Sequence, residues 1–561
     1  MLAGLLFVLL VFGPLLLAIA FAFREMGRHP RGLAVLFFTE MWERFGYYLM
    51  IGIFTLYMVD TLNEGLGFDK ATAAQIYGTF IALVYLTPFA GGLIADQFLG
   101  YRKSVVLGGI LMGIGYIGIG FFPGMAGFYT ALALVALGNG FFKPSMSTLV
   151  GRLYPEGSPL KDSGYSIFYM GINIGAFLCN FVAAILRNQF GWSYAFAAAG
   201  VGMFLGVGLF LSGQKWLRGA SDRGDGSAAQ QGALLNLTVQ VLLPAAIAGY
   251  LGYRFLGPYL GGAQTAAFVA ATIPVVLYYL VLWAMAPREE KGPIGAILAM
   301  AGVVVIFWMV FHQNGSSLTY WAEENTRREA GALAPTLRAL YMDQDATIGE
   351  TIADPDAAGS YWRNVPLPDR PAPGEKATLF STEIFQSVNP WFVVVLTPLV
   401  VGLLGRLRTR GREPSTPGKI AWGMMITAAS TLFMIAAVLT TTGGTFKASA
   451  TWLIASYGVI TVGELFLSPM GLALVSKLSP ARVTALMMGG WFLATAIGNK
   501  LAGVLAGFWE KIPLLWIFGI NCLAALAAAA AIGVMTPWIK RIMAEHAGRA
   551  TAGSAAQKES P

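Results

Sequence analysis

Cysteine, histidine and charge are all scarce in this chain. Two cysteines, Cys179 and Cys522, and three histidines, His29, His312 and His546, are spread over 561 residues. Both cysteines lie in apolar runs without metal-ligand spacing, which argues against a disulfide framework or zinc centre and leaves them as small buried hydrophobes. Glu40-x-x-Glu43 supplies a carboxylate pair, but the histidines do not form the Glu-x-x-His partners that a di-iron bundle needs. Nucleophile elbows and Cys-His patterns are absent as well. The chain therefore reads as a non-enzyme, with no catalytic residues, no metal and no cofactor. Charged residues make up only 12% against 56% hydrophobic, and the mean hydropathy is +0.64. That balance excludes an ordinary soluble fold and describes an all-α membrane protein with many spans. The net charge of +8 does not imply nucleic acid. Lysine and arginine gather in alternate loops, as cytoplasmic segments require.

Apolar runs of about 20 residues, each long enough to cross a hydrocarbon core of about 30 Å, recur from end to end. Residues 1–25 form an extra N-terminal apolar helix, followed by Arg28 and Arg31. A cleaved signal peptide would carry a basic leader and would leave that basic cluster outside, so an additional span is the better reading, with a start at Met26 as the alternative. Residues 26–212 hold six spans, near 33–59, 73–95, 103–122, 128–150, 164–186 and 193–212. Residues 213–291 comprise a polar cytoplasmic linker and two inserted spans, near 232–256 and 263–286, which read as a lipid-facing spacer pair. Residues 292–540 hold six more spans, near 293–313, 385–405, 418–440, 450–476, 483–505 and 513–535, and 541–561 read as a flexible cytoplasmic tail. One long acidic loop, 316–384, lies outside by this parity; a helix is expected near 322–342 and an extended stretch over the proline-rich 365–374.

The chemistry concentrates in Glu40-Met41-Trp42-Glu43-Arg44-Phe45-Gly46-Tyr47-Tyr48. Positions 40, 43, 44, 47 and 48 share one helix face. A charge at a bilayer centre costs roughly 2.5–3.5 kcal/mol on the insertion scale, so this face must look into protein or a wet cavity. Lys143, deep in another span before Pro144, needs an anionic partner, and Glu40 is the natural one. Glu464 stands alone in an apolar span of the second half.

In these stretches the chain resembles the proton-dependent oligopeptide transporter family of the major facilitator superfamily. The likeness covers nearly everything beyond residue 28. It includes the stretch above, Gly91-Gly92-Leu93-Ile94-Ala95-Asp96 with Arg102 and Lys103, Phe142-Lys143-Pro144, Phe168-Tyr169-Met170-Gly171-Ile172-Asn173-Ile174-Gly175-Ala176, Gln386-Ser387-Val388-Asn389-Pro390, and Gly463-Glu464-Leu465-Phe466-Leu467-Ser468-Pro469. The resemblance implies two six-helix bundles, with two inserted helices and the extra first helix added, acting by alternating access in the bacterial inner membrane. It implies a monomer that moves di- or tripeptides with protons through the lipid bilayer. Glu40, Glu43, Arg44, Lys143 and His312 would couple protons. Tyr47, Tyr48, Tyr85, Lys143, Asn173, Asn389, Glu464, Ser468 and Trp491 would hold substrate, and Asp96, Arg102 and Lys103 would gate. For Asn173 and Asn389, interhelical packing stands beside substrate binding, and for Asp96, Arg102 and Lys103 so does plain topological anchoring. His312 reads equally as a proton site or as a neutral, hydrogen-bonded helix residue.

Two departures from the family pattern leave other readings open. Ile51 stands where the family usually has a second arginine for the peptide carboxylate, and His312 stands where an acid is common. Another small solute (nitrate, a nucleoside or a modified peptide) is the alternative within the fold; a non-transporting sensor, or a carrier held inactive by its first helix or long loop, is the alternative from another functional class. If the missing arginine shapes selectivity, Ile51→Arg should tighten the binding of an unmodified dipeptide in a competition assay. Unchanged affinity counts against that role.

Overall fold

A computed structural model of the chain describes residues 2–61, 64–155, 158, 160–217, 237–347, 361–370, 372, 375–480 and 483–558. Thirteen helices among them are long and apolar enough to cross a bilayer. Two more have the length and complete the pattern: α2 (Arg31–Val59), which carries the charged stripe, and α16 (Thr484–Ala506). The first half comprises α2, α3 (Lys70–Ile94), α4 (Tyr101–Phe121), α5 (Gly124–Arg152), α6 (Lys161–Phe190) and α7 (Trp192–Ser212). The second comprises α10 (Arg288–Phe311), α13 (Val388–Thr409), α14 (Thr416–Thr440), α15 (Ala450–Leu478), α16 and α17 (Leu514–Lys558). Each half builds its own apolar core. Residues 541–558, expected as a tail, continue α17.

Local chemistry sets the helix starts. Asp69 Oδ1 accepts the Thr72 amide at 2.9 Å and opens α3, and the Ser415 hydroxyl accepts the Gly418 amide at 3.3 Å to open α14. Where the halves touch, α3 and α16 approach through Gly78 and Gly503, and a Cβ on Gly503 would stand 2.7 Å from the Gly78 Cα. Only two glycines permit that contact.

Among the described residues, the polar contacts between the halves lie toward the ends that bear the 316–384 loop, the outer ends by the charge pattern of the loops in the sequence. Thr55 donates to the Gly315 carbonyl at 3.0 Å, Asn180 to the Ser387 hydroxyl at 3.1 Å, and Arg187 pairs with Glu383 at 2.9 Å. Lys70, at the outer rim, pairs with Glu510 at 2.7 Å and with Glu324. The two halves are thus closed together at the end that bears the 316–384 loop.

Two further helices cover the seams between halves. In α1 (Leu2–Met26), Phe12 packs against Phe177 and Phe181 of the first half, with ring centroids 5.7 and 5.2 Å away. The preceding Val11 carbonyl accepts the indole N–H of Trp391, in the second half, at 3.1 Å. Pro14 lacks an amide and loosens the helix ladder one turn below. Of the inserted pair, α8 (Leu243–Leu251, extended by π turns) exposes most of its surface, whereas α9 (Ala263–Met285) seats Phe268 between Ala82 and Ala496 of opposite halves.

The described part of the 316–384 loop folds into a small unit instead of carrying one helix over 322–342. The spanning helix α10 passes through a 3-10 turn into α11 (Ser317–Glu324), which stops at Asn325; the Asn325 side-chain amide donates to the Gly444 carbonyl at 3.0 Å. The chain then extends as β1 (Thr326–Arg327), pairing in parallel with β4 (Ala448–Ser449). Gly331, at φ +50°, and Pro335 confine further helix to α12 (Ala334–Ala339). β2 (Asp343–Thr347) and β3 (Lys376–Phe380) pair antiparallel, and Leu379 of β3 joins Tyr361, Trp362 and Val365 in a small apolar cluster. Within the proline-rich stretch, Leu367–Asp369 is a 3-10 turn instead of extended chain.

Lys447 plugs this unit from the α14–α15 connection, 5% exposed, with its ammonium donating to the Glu324 carbonyl and standing 4.5 Å above the Tyr361 ring. The Arg328 guanidinium lies over the same ring at 5.4 Å. Burial first, and then the Arg328 charge, push the lysine down from 10.5 to about 7, against the opposing pull of Glu323, Glu324 and Glu329. Between those two values the unfolded loop binds the extra proton, so the packed unit gains stability as pH rises from about 7 and is weakened below it. Amide exchange in residues 326–342, corrected for intrinsic rates, should be faster at pH 6 than at pH 8. Lys447→Met should flatten that difference.

Candidate substrate and proton site

The charged stripe of α2 folds on itself. Glu40, Glu43 and Arg44 are 4%, 0% and 4% exposed, so the charges are withdrawn from lipid as their energetics demand. Arg44 Nε donates to Glu40 Oε1 at 3.1 Å, and the same nitrogen is 2.5 Å from Glu43 Oε2. One guanidinium thus serves two carboxylates. Glu40 Oε2, Glu43 Oε1 and Arg44 Nη2 are buried without further hydrogen bonds in the protein. Such a triad is sensitive to a single proton, because neutralising either carboxylate rebalances the other two charges.

Lys143 does not stand against Glu40, the neighbour expected from its sequence. Its ammonium lies 4.3 Å above the ring of Tyr85, within the electrostatic reach of Arg44, Glu43 and Glu40. The reason is local: Arg44, four residues along the same helix face, already occupies Glu40. The far side of this arrangement belongs to the other half. The Tyr85 ring is 5.8 Å from the His312 imidazole, which stacks on Trp308 at 5.5 Å and 27°. His312 is 6% exposed, and its Nε2 has no hydrogen-bond partner. Arginine, carboxylates, lysine, tyrosine and histidine form one file across the two halves.

Opposite stands Glu464 on α15. Its Oε2 accepts the Asn389 amide at 3.2 Å, and the same amide donates to Thr461 Oγ1 at 2.8 Å. The charge of Glu464 reaches Tyr48, Tyr85 and Tyr169, and that of Arg44 reaches Tyr48 and Tyr85 as well. Asn173 donates to the Tyr169 carbonyl of its own helix at 3.0 Å, and the Ser468 hydroxyl is buried without a partner. Two expected pocket aromatics are packed inward: Tyr47 is 1% exposed beneath Arg44, and Trp491, 2% exposed, presses on Gly471. Ile51 is likewise part of the first half's core.

The expected gate is only partly described. Arg102 donates to Gln214 at the end of α7, Lys103 is exposed, and the Asp96 side chain lies outside the described residues. Sequence reasoning missed Gln386, whose amide donates to Thr319 Oγ1 at 2.8 Å and to the Asn314 carbonyl, tying the outer end of the site together. Its motif was visible, its contact was not. Lys500 was missed too, although a lysine inside an apolar run is a signal in itself.

The sequence matches the PTR2 model, described as the POT family, over residues 102–337 and 378–521. It is 31% identical over 521 residues to YclF, an uncharacterized transporter of Bacillus subtilis (strain 168), covering 92% of this chain and 95% of that one. It is 28% identical over 532 residues to the di-/tripeptide transporter of Lactococcus lactis subsp. cremoris, covering 92% and 97%. A crystal structure of the peptide transporter POT in complex with sulfate superposes with a TM-score of 0.73 at 29% identity, covering 92% and 96%. A POT family transporter in complex with 5-aminolevulinic acid gives 0.72 at 25% identity, covering 91% and 97%.

The Lys143–Tyr85 contact can be tested independently of substrate identity. Tyr85→Phe keeps the ring face and should leave thermal stability and transport near wild type, whereas Tyr85→Leu should lose about 1–2 kcal/mol of interaction with a desolvated ammonium. Equal behaviour of the two variants, measured by melting and by uptake, would mean that the contact contributes nothing.

Proposed function

The chain belongs to the POT family of membrane transporters, and on that premise we propose that it carries di- and tripeptides together with protons across the inner membrane. The observation that carries this reading is the pair of opposed poles: Arg44 and Lys143 on one half, Glu464 on the other, with Tyr48 and Tyr85 in reach of both Arg44 and Glu464. A peptide is a zwitterion and fits such a field in one orientation, its carboxylate toward the cations and its ammonium toward Glu464. Asn389 positions Glu464 for that role, and Tyr48, Asn173 and Ser468 supply the remaining polar groups.

The proton enters through Glu40 and Glu43. Protonating one of them frees part of the Arg44 guanidinium and weakens the hold on Lys143, so both cations turn to the substrate carboxylate. His312 completes the path on the second half, where its unpartnered Nε2 is available to take and return a proton. Peptide and proton bound from outside draw the halves together at the outer ends, where Lys70 and Arg187 hold the closure seen here; release on the inner side and parting of those outer contacts then reset the carrier. Each chain contains the whole set of residues, which supports a working monomer.

A second reading has one specific support. With Ile51 in the core, the carboxylate pole has one arginine, Arg44, and one lysine, and a shorter zwitterion than a peptide satisfies it equally. The POT family transporter solved in complex with 5-aminolevulinic acid holds a compound of that kind.

Uptake of labelled dialanine into proteoliposomes decides between them. An inward proton gradient should drive accumulation, and Glu40→Gln should abolish it. Folded protein that accumulates no dialanine under the gradient overturns the peptide reading, and 5-aminolevulinic acid is then the first compound to try.

A further inference from the structure

Lys500 has no part in the cycle just described, yet it is the kind of residue that membranes do not tolerate idly. It lies on α16, six residues before the outer end, and is 2% exposed. Its ammonium crosses to the other half, donating to Thr79 Oγ1 at 2.7 Å and to the Gln75 carbonyl at 3.4 Å on α3. Both partners are neutral, and no carboxylate among the described residues forms an ion pair with it. A desolvated cation without a counter-ion is strongly unfavourable. An anion that reached Lys500 would supply the missing charge.

The surroundings say when an anion could arrive. Beside Lys500, Asn499 is fully buried with neither amide atom hydrogen-bonded, and the side-chain polar atoms of Tyr77 and Gln313 are in the same condition. These groups lie where α3 meets α10 and α16, directly under the rim closed by Lys70 and Glu510. Buried polar groups without partners each cost about 1–3 kcal/mol, a penalty cancelled when the seam parts and water or ligand reaches them. Parting of α3 from α16 at this seam would break the Thr79 and Gln75 contacts of Lys500 as well.

Position along α3 sets the order of depth. Lys70 opens the helix, Lys500 is seated on it at Thr79 and Lys143 at Tyr85. At 1.5 Å per residue, these steps are about 14 Å and about 9 Å. A cation therefore stands at the rim, another at intermediate depth, and a third at the central site.

We propose that Lys500 is a substrate-binding residue of the outward-open state, taking the carboxylate of an incoming peptide before it passes to Lys143 and Arg44. This rests on the peptide reading above. The test is the kinetics of dialanine uptake and efflux in proteoliposomes for wild type, K500M and K500R, each first shown to elute as folded protein, with K500Q replacing K500M if the latter does not fold. Loss of one charged contact should raise the external KM about tenfold with Vmax within about twofold. K500R should restore it, and the KM measured from the inner face should not move. An unchanged external KM overturns the assignment, as does an equal change at both faces, which would make Lys500 a structural latch. Wild-type uptake with either of those results sinks Lys500 alone; no wild-type uptake sinks the peptide reading with it.

Discussion

Everything in this molecule depends on keeping two carboxylates and a guanidinium out of hydrocarbon. The stripe on α2 cannot face lipid, so α2 is surrounded, and the helices that surround it make the first half. Their packing places Lys143 and Tyr85 beside the triad, and the second half closes over the remaining side with His312 and Glu464. The low dielectric that makes the triad expensive to bury also makes it responsive, since one proton changes a field that little water screens. Burial and function have the same origin here.

The spans were legible because a bilayer imposes a length, and few structures besides a spanning helix use an apolar run that long. The α2 face was legible for a similar reason: spacing on a helix fixes which residues share a side. What escaped was everything decided between distant segments. Asn389 was recognisable as a site residue, but its bond to Glu464 joins positions far apart in the chain. Lys143 was given the wrong neighbour because the competition between it and Arg44 for Glu40 takes place in space. Tyr47 and Trp491 are aromatic residues of the motif that serve packing in this conformation.

The external loop departs from its local pattern for a different reason. A helical pattern over 322–342 is real in composition, but Thr326 and Arg327 find a better hydrogen-bonding partner in Ala448 and Ser449, from a connection more than a hundred residues later. Tertiary pairing overrode local preference. The same connection brings Lys447 into the loop's aromatic core, which turns an acidic excursion into a packed unit seated on the outer end of the carrier.

The helices belonging to neither half have a consequence for energy conversion. Phe12 and Val11 of α1 lie along one seam, and Phe268 of α9 along the other, so neither line where the halves slide is left to lipid tails alone. A machine that exchanges a proton for work is only as good as its insulation. Any thread of water that slipped along a moving joint would short-circuit the membrane potential without carrying cargo. On the proton-coupled reading proposed above, two strips of protein along those joints would bar such a thread and keep proton flow tied to cargo.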